Sequence, residues 1–204
     1  MGVLTRAAVA FAVLAVLSGR TAPAQEPSPA AAPAPQTEAD EYTRYELLAP
    51  GTARFRILYE VTATTPGATD YHNSIRKGSE ASGIAVTDLA SGRPLEWSVV
   101  SGTEGRSIRV RLPRPVPEGG GVRLLIEKTY EDPKTYRQEG DRLVFERSLG
   151  IRRNAVVLPP GYELVACNTP SQVIQQADGR IAASFMNPGP AAVPLVLAAR
   201  RLGP

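Results

Sequence analysis

Few side chains in these 204 residues could run the common hydrolytic chemistries. His72 is the single histidine and Cys167 the single cysteine. A thermolysin-like zinc site takes two histidines from one helix, and the string His-Glu-x-x-His is absent. A cysteine-based zinc site needs more than one thiolate. A Ser-His-Asp triad would have to use His72, and no Gly-x-Ser-x-Gly turn is there to pair with it. His72 therefore reads as a surface histidine, solvated or locally bonded. Ser74-Ile-Arg-Lys77 matches the Ser-x-x-Lys pattern of the penicillin-recognising enzymes. That chemistry sets the serine at the start of a buried helix beside Ser-Asp-Asn and Lys-Thr-Gly strings, and both strings are missing. Gly119-Gly-Gly121 runs into a strand, without the Gly-Lys-Ser/Thr and helix of a phosphate cradle, and reads as a loop. On these counts no catalytic residue, metal site or cofactor is expected.

Carboxylate chemistry survives the count, because sugar hydrolysis needs only two acids facing each other across a cleft. Asp132, Glu139, Asp141 and Glu146, near loops and aromatics, are the candidates. Binding has better ones. Tyr71, Tyr130 and Tyr136 fall at or beside strand ends, where an amphipathic ring can stack on a sugar or anchor a peptide. Arg147, Arg152, Arg153 and Asn154 form a polar cluster ahead of an apolar run, fitted to satisfy backbone groups at a strand crossing or to hold an anion. Tyr71, Tyr130, Tyr136 and Arg153 are the candidate binding residues. Trp97 shares a face with Leu95 and Val99 and is assigned to the core.

The elements that must position these residues are strands. Ile108, Val110 and Leu112 alternate with Arg109 and Arg111, and Val122, Leu124 and Ile126 alternate with Arg123, Leu125 and Glu127. Each run has the period-two pattern of a half-buried strand. The proline- and glycine-rich segment from Pro113 to Gly121 between them predicts a reversal, and hence an antiparallel pair. Arg54 to Thr64 is the longest alternation, with Phe55, Ile57, Tyr59 and Val61 on one face. Gly83 to Leu89 and Pro94 to Val100 predict a hairpin about Ala90-Ser-Gly92, and Asp178-Gly179 predicts a second. Ala155 to Leu158 is continuously apolar, as in a strand covered on both faces. Shorter strands are expected at Arg44–Ala49, Tyr71–Lys77, Arg142–Arg147, Tyr162–Cys167 and Val193–Ala199, and a loop from Tyr130 to Tyr136. No proline- and glycine-free window carries helical spacing, so the expected fold is an all-β antiparallel sandwich of roughly 10–12 short strands.

Residues 1–24 have the layout of a secretory signal peptide: Arg6, an apolar run of 11 residues from Ala7 to Leu17, and the small-x-small site Ala22-Pro-Ala24. The run is too short to span a bilayer, and no later stretch is apolar enough to do so. Gln25–Asp40, with four prolines and five alanines in 16 residues, reads as a disordered linker. Residues 41–204 are then a single domain, periplasmic or secreted. The whole chain carries 23 Lys+Arg and 20 Asp+Glu; without the signal, 21 basic residues face 20 acidic ones. A charge-balanced chain has little general pull toward nucleic acid. Cys167, flanked by apolar residues, is expected to be buried, with no internal disulfide to form.

The succession Val86-Thr-Asp-Leu89, Gly92-Arg-Pro-Leu95, Ile108-Arg-Val-Arg-Leu-Pro113, Pro117-Glu-Gly119 and Val122-Arg-Leu-Leu-Ile126 resembles the N-terminal β-saddle domain of the M1 family of zinc aminopeptidases, over Arg54 to Tyr130. The resemblance implies a fold and no active-site residue, since neither that family's zinc-binding string nor its Gly-x-Met-Glu-Asn string is found here. The chain as a whole is similar to stand-alone exported bacterial β-proteins. The expectation is a non-catalytic exported module that binds an envelope protein, a peptide or a polymer. The alternatives are a carbohydrate-binding module with Tyr130, Tyr136 and Trp97 as its platform, or a carboxylate-based hydrolase.

Overall fold

The computed structural model describes residues 35–103 and 105–203. The expected signal peptide and most of the expected linker lie outside the described residues. Fifteen strands are arranged in chain order: β1 (Glu38–Leu47), β2 (Arg54–Ala63), β3 (Asp70–Ser74), β4 (Ala81–Asp88), β5 (Arg93–Pro94), β6 (Trp97–Gly102), β7 (Gly105–Arg111), β8 (Val122–Glu131), β9 (Tyr136–Glu139), β10 (Arg142–Leu149), β11 (Arg153–Val157), β12 (Tyr162–Cys167), β13 (Gln172–Gln175), β14 (Ile181–Met186) and β15 (Val193–Arg201). The described residues contain no helix, in line with the all-β expectation. β1 begins at Glu38, so the last residues of the Gln25–Asp40 segment belong to the sheet.

Eight strands form one large sheet in the order β13-β14-β11-β1-β2-β8-β4-β5, and two smaller sheets have the orders β12-β15-β10-β9 and β3-β7-β6. Every pairing is antiparallel except β1 with β11, so the large sheet is mixed. β11 carries the continuous apolar run; it lies between β14 and β1 and is buried along Asn154 to Val157, as the sequence implied. The Asp178-Gly179 hairpin also forms, joining β13 to β14 with Gly179 at φ 82°.

Of two expected hairpins, the one about Pro113–Gly121 does not form and the one about Ala90-Ser-Gly92 is cut short. β7 pairs with β3 and β6, while β8 pairs with β2 and β4, so the segment from Pro113 to Gly121 carries the chain between sheets and does not reverse it within one. Its carbonyl and amide groups are taken up locally, Val116 N donating to Ala68 O (3.0 Å) and Gly67 N to Val116 O (2.8 Å). Likewise β4 pairs with β5 for two residues only, after which Trp97–Gly102 joins the three-stranded sheet. Alternation reports which face is apolar and says nothing of which neighbour supplies the ladder. The segment Tyr130–Tyr136, expected to be a loop, ends in the short strand β9.

The inner face of the large sheet carries rows of apolar side chains. Across β1, β2 and β8 the register sets Leu47 beside Phe55 and Tyr130, Tyr45 beside Ile57, and Val61 beside Leu124. The four-stranded sheet packs on it through Phe145, whose ring centroid is 5.4 Å from that of Tyr45 and 5.6 Å from that of Phe55, the latter edge-on at 86°. The three-stranded sheet covers the same face through Tyr71, Ile108 and Val110. The result is two layers, one large sheet beneath two small ones.

Trp97 departs from its core assignment. It does share a face with Ile108 and Val110, but β6 is the outer strand of its sheet, and the ring is 41% exposed. Cys167 is half-buried at the margin of the core. The two aromatic positions should separate cleanly in stability. Phe145→Ala is expected to lower the unfolding free energy by about 3–5 kcal/mol, and Trp97→Ala by about 1 kcal/mol or less, as read from urea denaturation.

Candidate functional site

The apolar rows that build the core contain polar interruptions. On β8 the inward row Val122, Leu124, Ile126 continues in phase to Lys128 before Tyr130. On β10 the row Leu143, Phe145, Leu149 includes Arg147, set opposite Leu195. On β1 the row Leu47, Tyr45 continues to Thr43. Two further groups arrive through irregular backbone. The β1–β2 register slips between Ala39 and Tyr42, and Asp40 takes the positive φ of 53°. One extra residue in a strand re-aims the side chains beyond it. Glu38 and Glu41, three apart, therefore both face inward, toward Tyr71 and Tyr59.

These residues line a cleft of about 400 Å³ whose walls come from both small sheets and whose floor is the large one. Arg147 lies among three rings, its guanidinium carbon 5.5 Å from the centroid of Tyr45, 5.6 Å from Phe55 and 5.8 Å from Tyr130. Lys128, only 5% exposed, donates to Asn73 Oδ1 and to the Ser74 carbonyl (3.2 Å), with its Nζ 5.5 Å from the Tyr130 ring. Among the described residues neither cation is in an ion pair. Thr43 Oγ1 and Arg147 Nη1, both buried and both lining the cleft, have no hydrogen-bond partner among those residues. The acidic groups are engaged by tyrosines, Tyr59 Oη donating to Glu41 (2.7 Å) and Tyr71 Oη to Glu38.

The electrostatics follow from burial. Desolvation, reinforced by the like charge of Arg147, brings the Lys128 ammonium down to about 8. Burial raises the Glu38 carboxyl, and the neighbouring Glu41 adds to that, against the opposing pull of the Tyr71 hydroxyl. The Tyr59 and Tyr71 phenols are pushed far up by burial and the adjacent carboxyls. The cleft is thus polarised, with cations against the aromatic cage and carboxyls behind the tyrosines.

Of the residues singled out from sequence, Tyr71 and Tyr130 line this cleft together. Tyr136 does not reach it; its ring is buried and its hydroxyl donates to the Leu48 carbonyl (3.0 Å). Arg153 sits outside, donating to the carbonyls of Asp40 (2.7 Å) and Glu41 (3.2 Å), where it holds the bulge that turns Glu41 inward. Asp132 closes its own turn by accepting from Thr135, and Glu139 and Glu146 pair with Arg137. The two acids that share the cleft are Glu38 and Glu41, neither among the sequence candidates. His72 is exposed beside Ser107, and Ser74 ends a strand, with no helix behind it. Among the described residues no group of three His, Cys, Asp or Glu side chains is placed to hold a metal ion. Arg147 had been singled out in the polar cluster with Arg152, Arg153 and Asn154, whereas Lys128 and Thr43 were detectable from sequence only as polar residues in phase with apolar rows.

A lysine whose folded pKa lies below its unfolded value binds fewer protons in the folded state, so stability rises with pH between the two values. The difference in unfolding free energy between the wild type and Lys128→Met should therefore climb from pH 8 toward 10.5 by about 3 kcal/mol. The variant cancels the tyrosines, which titrate in the opposite sense. Paired denaturation curves at stepped pH measure it.

No family model matches the chain, and no curated protein does. Solved structures do. The M1 zinc metallopeptidase from Deinococcus radiodurans superposes with a TM-score of 0.51 at 14% identity, covering 78% of this chain and 41% of that one. A variant of that enzyme bound to a Tyr-Ser-Ala substrate gives 0.50 with the same identity and coverage. This chain thus spans less than half the length of the structures it resembles, and what it shares with them is the fold of a β domain, as the strand pattern had implied.

Proposed function

We propose that this chain is an exported, non-catalytic binding module and that the cleft between the two small sheets seats part of its partner, an envelope protein, a peptide or a polymer. The observation that carries this reading is the pair of buried polar atoms at one cleft, Arg147 Nη1 and Thr43 Oγ1, that have no hydrogen-bond partner among the described residues. Buried polar groups are normally satisfied, and where they are not, a ligand or water supplies the bond. The volume falls in the range of ligand sites, and tyrosines give it walls that are apolar along the ring and polar at the tip. Absence of the His-Glu-x-x-His and Gly-x-Met-Glu-Asn strings from the sequence supports the non-catalytic part. The signal-like residues 1–24 and the proline-alanine segment support export and a domain held off on a tether.

One observation favours a second seat. β13 is an outer strand of the large sheet, and all four of its residues, Val173 and Ile174 among them, are exposed. An open edge of this kind can take up an extended segment of a partner. The sugar platform has no such support, because Tyr130 and Tyr136 are buried and Trp97 stands on another sheet.

A photo-crosslinking residue placed at His72, on the cleft rim, should capture a partner in the native envelope, whereas one at Glu163 on β12 should not. Capture from Ile174 but not from His72 would move the seat to the sheet edge, and equal capture from all three positions would contradict a defined seat.

A further inference from the structure

We infer that the cleft is built for a singly charged carboxylate, held against the Arg147 guanidinium with the Lys128 ammonium beside it. The inference rests on the cleft being the ligand seat and adds the ligand's chemistry. Two cations come from facing sheets, Lys128 from β8 and Arg147 from β10, and among the described residues neither is neutralised by a paired acid. Buried charges are ordinarily paired, since desolvation without a counter-charge is costly. The two are close enough to oppose each other, which an anion between them would relieve.

The kind of anion is set by the surroundings. Three rings hold the guanidinium in place, and its planar fork matches the geometry of a carboxylate. Glu38 and Glu41 face the same space, so a multiply charged phosphate or a polyanion would meet repulsion that a monoanion largely escapes. A free carboxylate metabolite and the carboxyl end of a peptide share this chemistry.

Four probes added to the purified protein, with binding read by side-chain and backbone NMR, test this: benzoate, N-acetyl-dialanine, the C-terminal amide of that dipeptide, and inorganic phosphate. At least one carboxylate should bind, shifting Lys128 and Arg147, while the amide and phosphate bind at least tenfold more weakly. Binding of both carboxylates identifies the bare group as sufficient, and binding of the peptide alone identifies a chain end; either supports the inference. Arg147→Met should weaken binding tenfold or more and Arg147→Lys less, with thermal melting confirming that both variants fold. Between pH 7.5 and 9.5 affinity should fall in the wild type and stay level in Lys128→Met. Of the other groups facing Lys128, Arg147 and Arg76 contribute guanidinium groups, Glu38 and Glu41 are engaged by tyrosines, and the Tyr59, Tyr71 and Tyr130 phenols are raised above that range. An amide or phosphate that binds as well as the carboxylates would overturn the carboxylate assignment while leaving the cleft as the seat. A lack of shifts with all four probes would overturn the carboxylate assignment, and shifts confined to β13 would overturn the seat as well.

Discussion

A guanidinium enclosed by three aromatic rings joins the two layers of this protein. Arg147 stands on the four-stranded sheet, and the rings it meets, Tyr45, Phe55 and Tyr130, stand on three neighbouring strands of the large one. Phe145, two residues earlier, packs edge-on against Phe55, so one stretch of β10 supplies both the apolar and the cationic half of the junction. A cation over an aromatic face gains up to about 2 kcal/mol when desolvated, which offsets only part of the cost of burying the charge. The arrangement is tolerable because guanidinium is weakly hydrated and flat; an ammonium in that cage would fit less well.

The second layer is divided, and the division creates the site. A single sheet over the large one would have closed the core with apolar side chains throughout. With two sheets side by side, the rows beneath their junction can carry Thr43, Lys128 and the inward carboxyls without exposing them fully. Separate stretches of chain build the two small sheets, β3, β6 and β7 for one and β9, β10, β12 and β15 for the other, and the bulge at Asp40 that Arg153 secures turns Glu41 toward the cleft. Backbone irregularity and buried polarity thus occur together, the pattern expected where local rules yield to function.

Much of the fold was legible because period-two alternation fixes faces. Phe55 to Val61 and Val122 to Ile126 face the core as read, and Asp178-Gly179 turns as read. Pairing was less legible, because the ladder partner of β7 or β6 is decided by contacts far along the chain. Trp97 shows the same limit in another form: its face was right, but whether anything covers that face depends on which strand is outermost. For the site, Tyr71 and Tyr130 were found through their type and position near strand ends, while Tyr136, found by the same signal, fills the core elsewhere. Arg147 was noticed through its polar neighbours, while Lys128 lay in the alternation itself, and an interruption in an apolar row is visible only once the row is traced to its end. Glu38 and Glu41 could not be placed together without the bulge.

The likeness to a β domain of M1 zinc metallopeptidases agrees with this picture at the level of architecture, and the cleft is a property of this chain's own side chains. The assignment of the cleft to an anion depends on Lys128 being an inward, desolvated ammonium beside a second cation. The most direct measurement is the NMR titration of the Lys128 side-chain ε-carbon in the folded protein. A midpoint of about 8 is the result this structure predicts. A midpoint near 10.4, roughly the value of a solvated lysine, would contradict it.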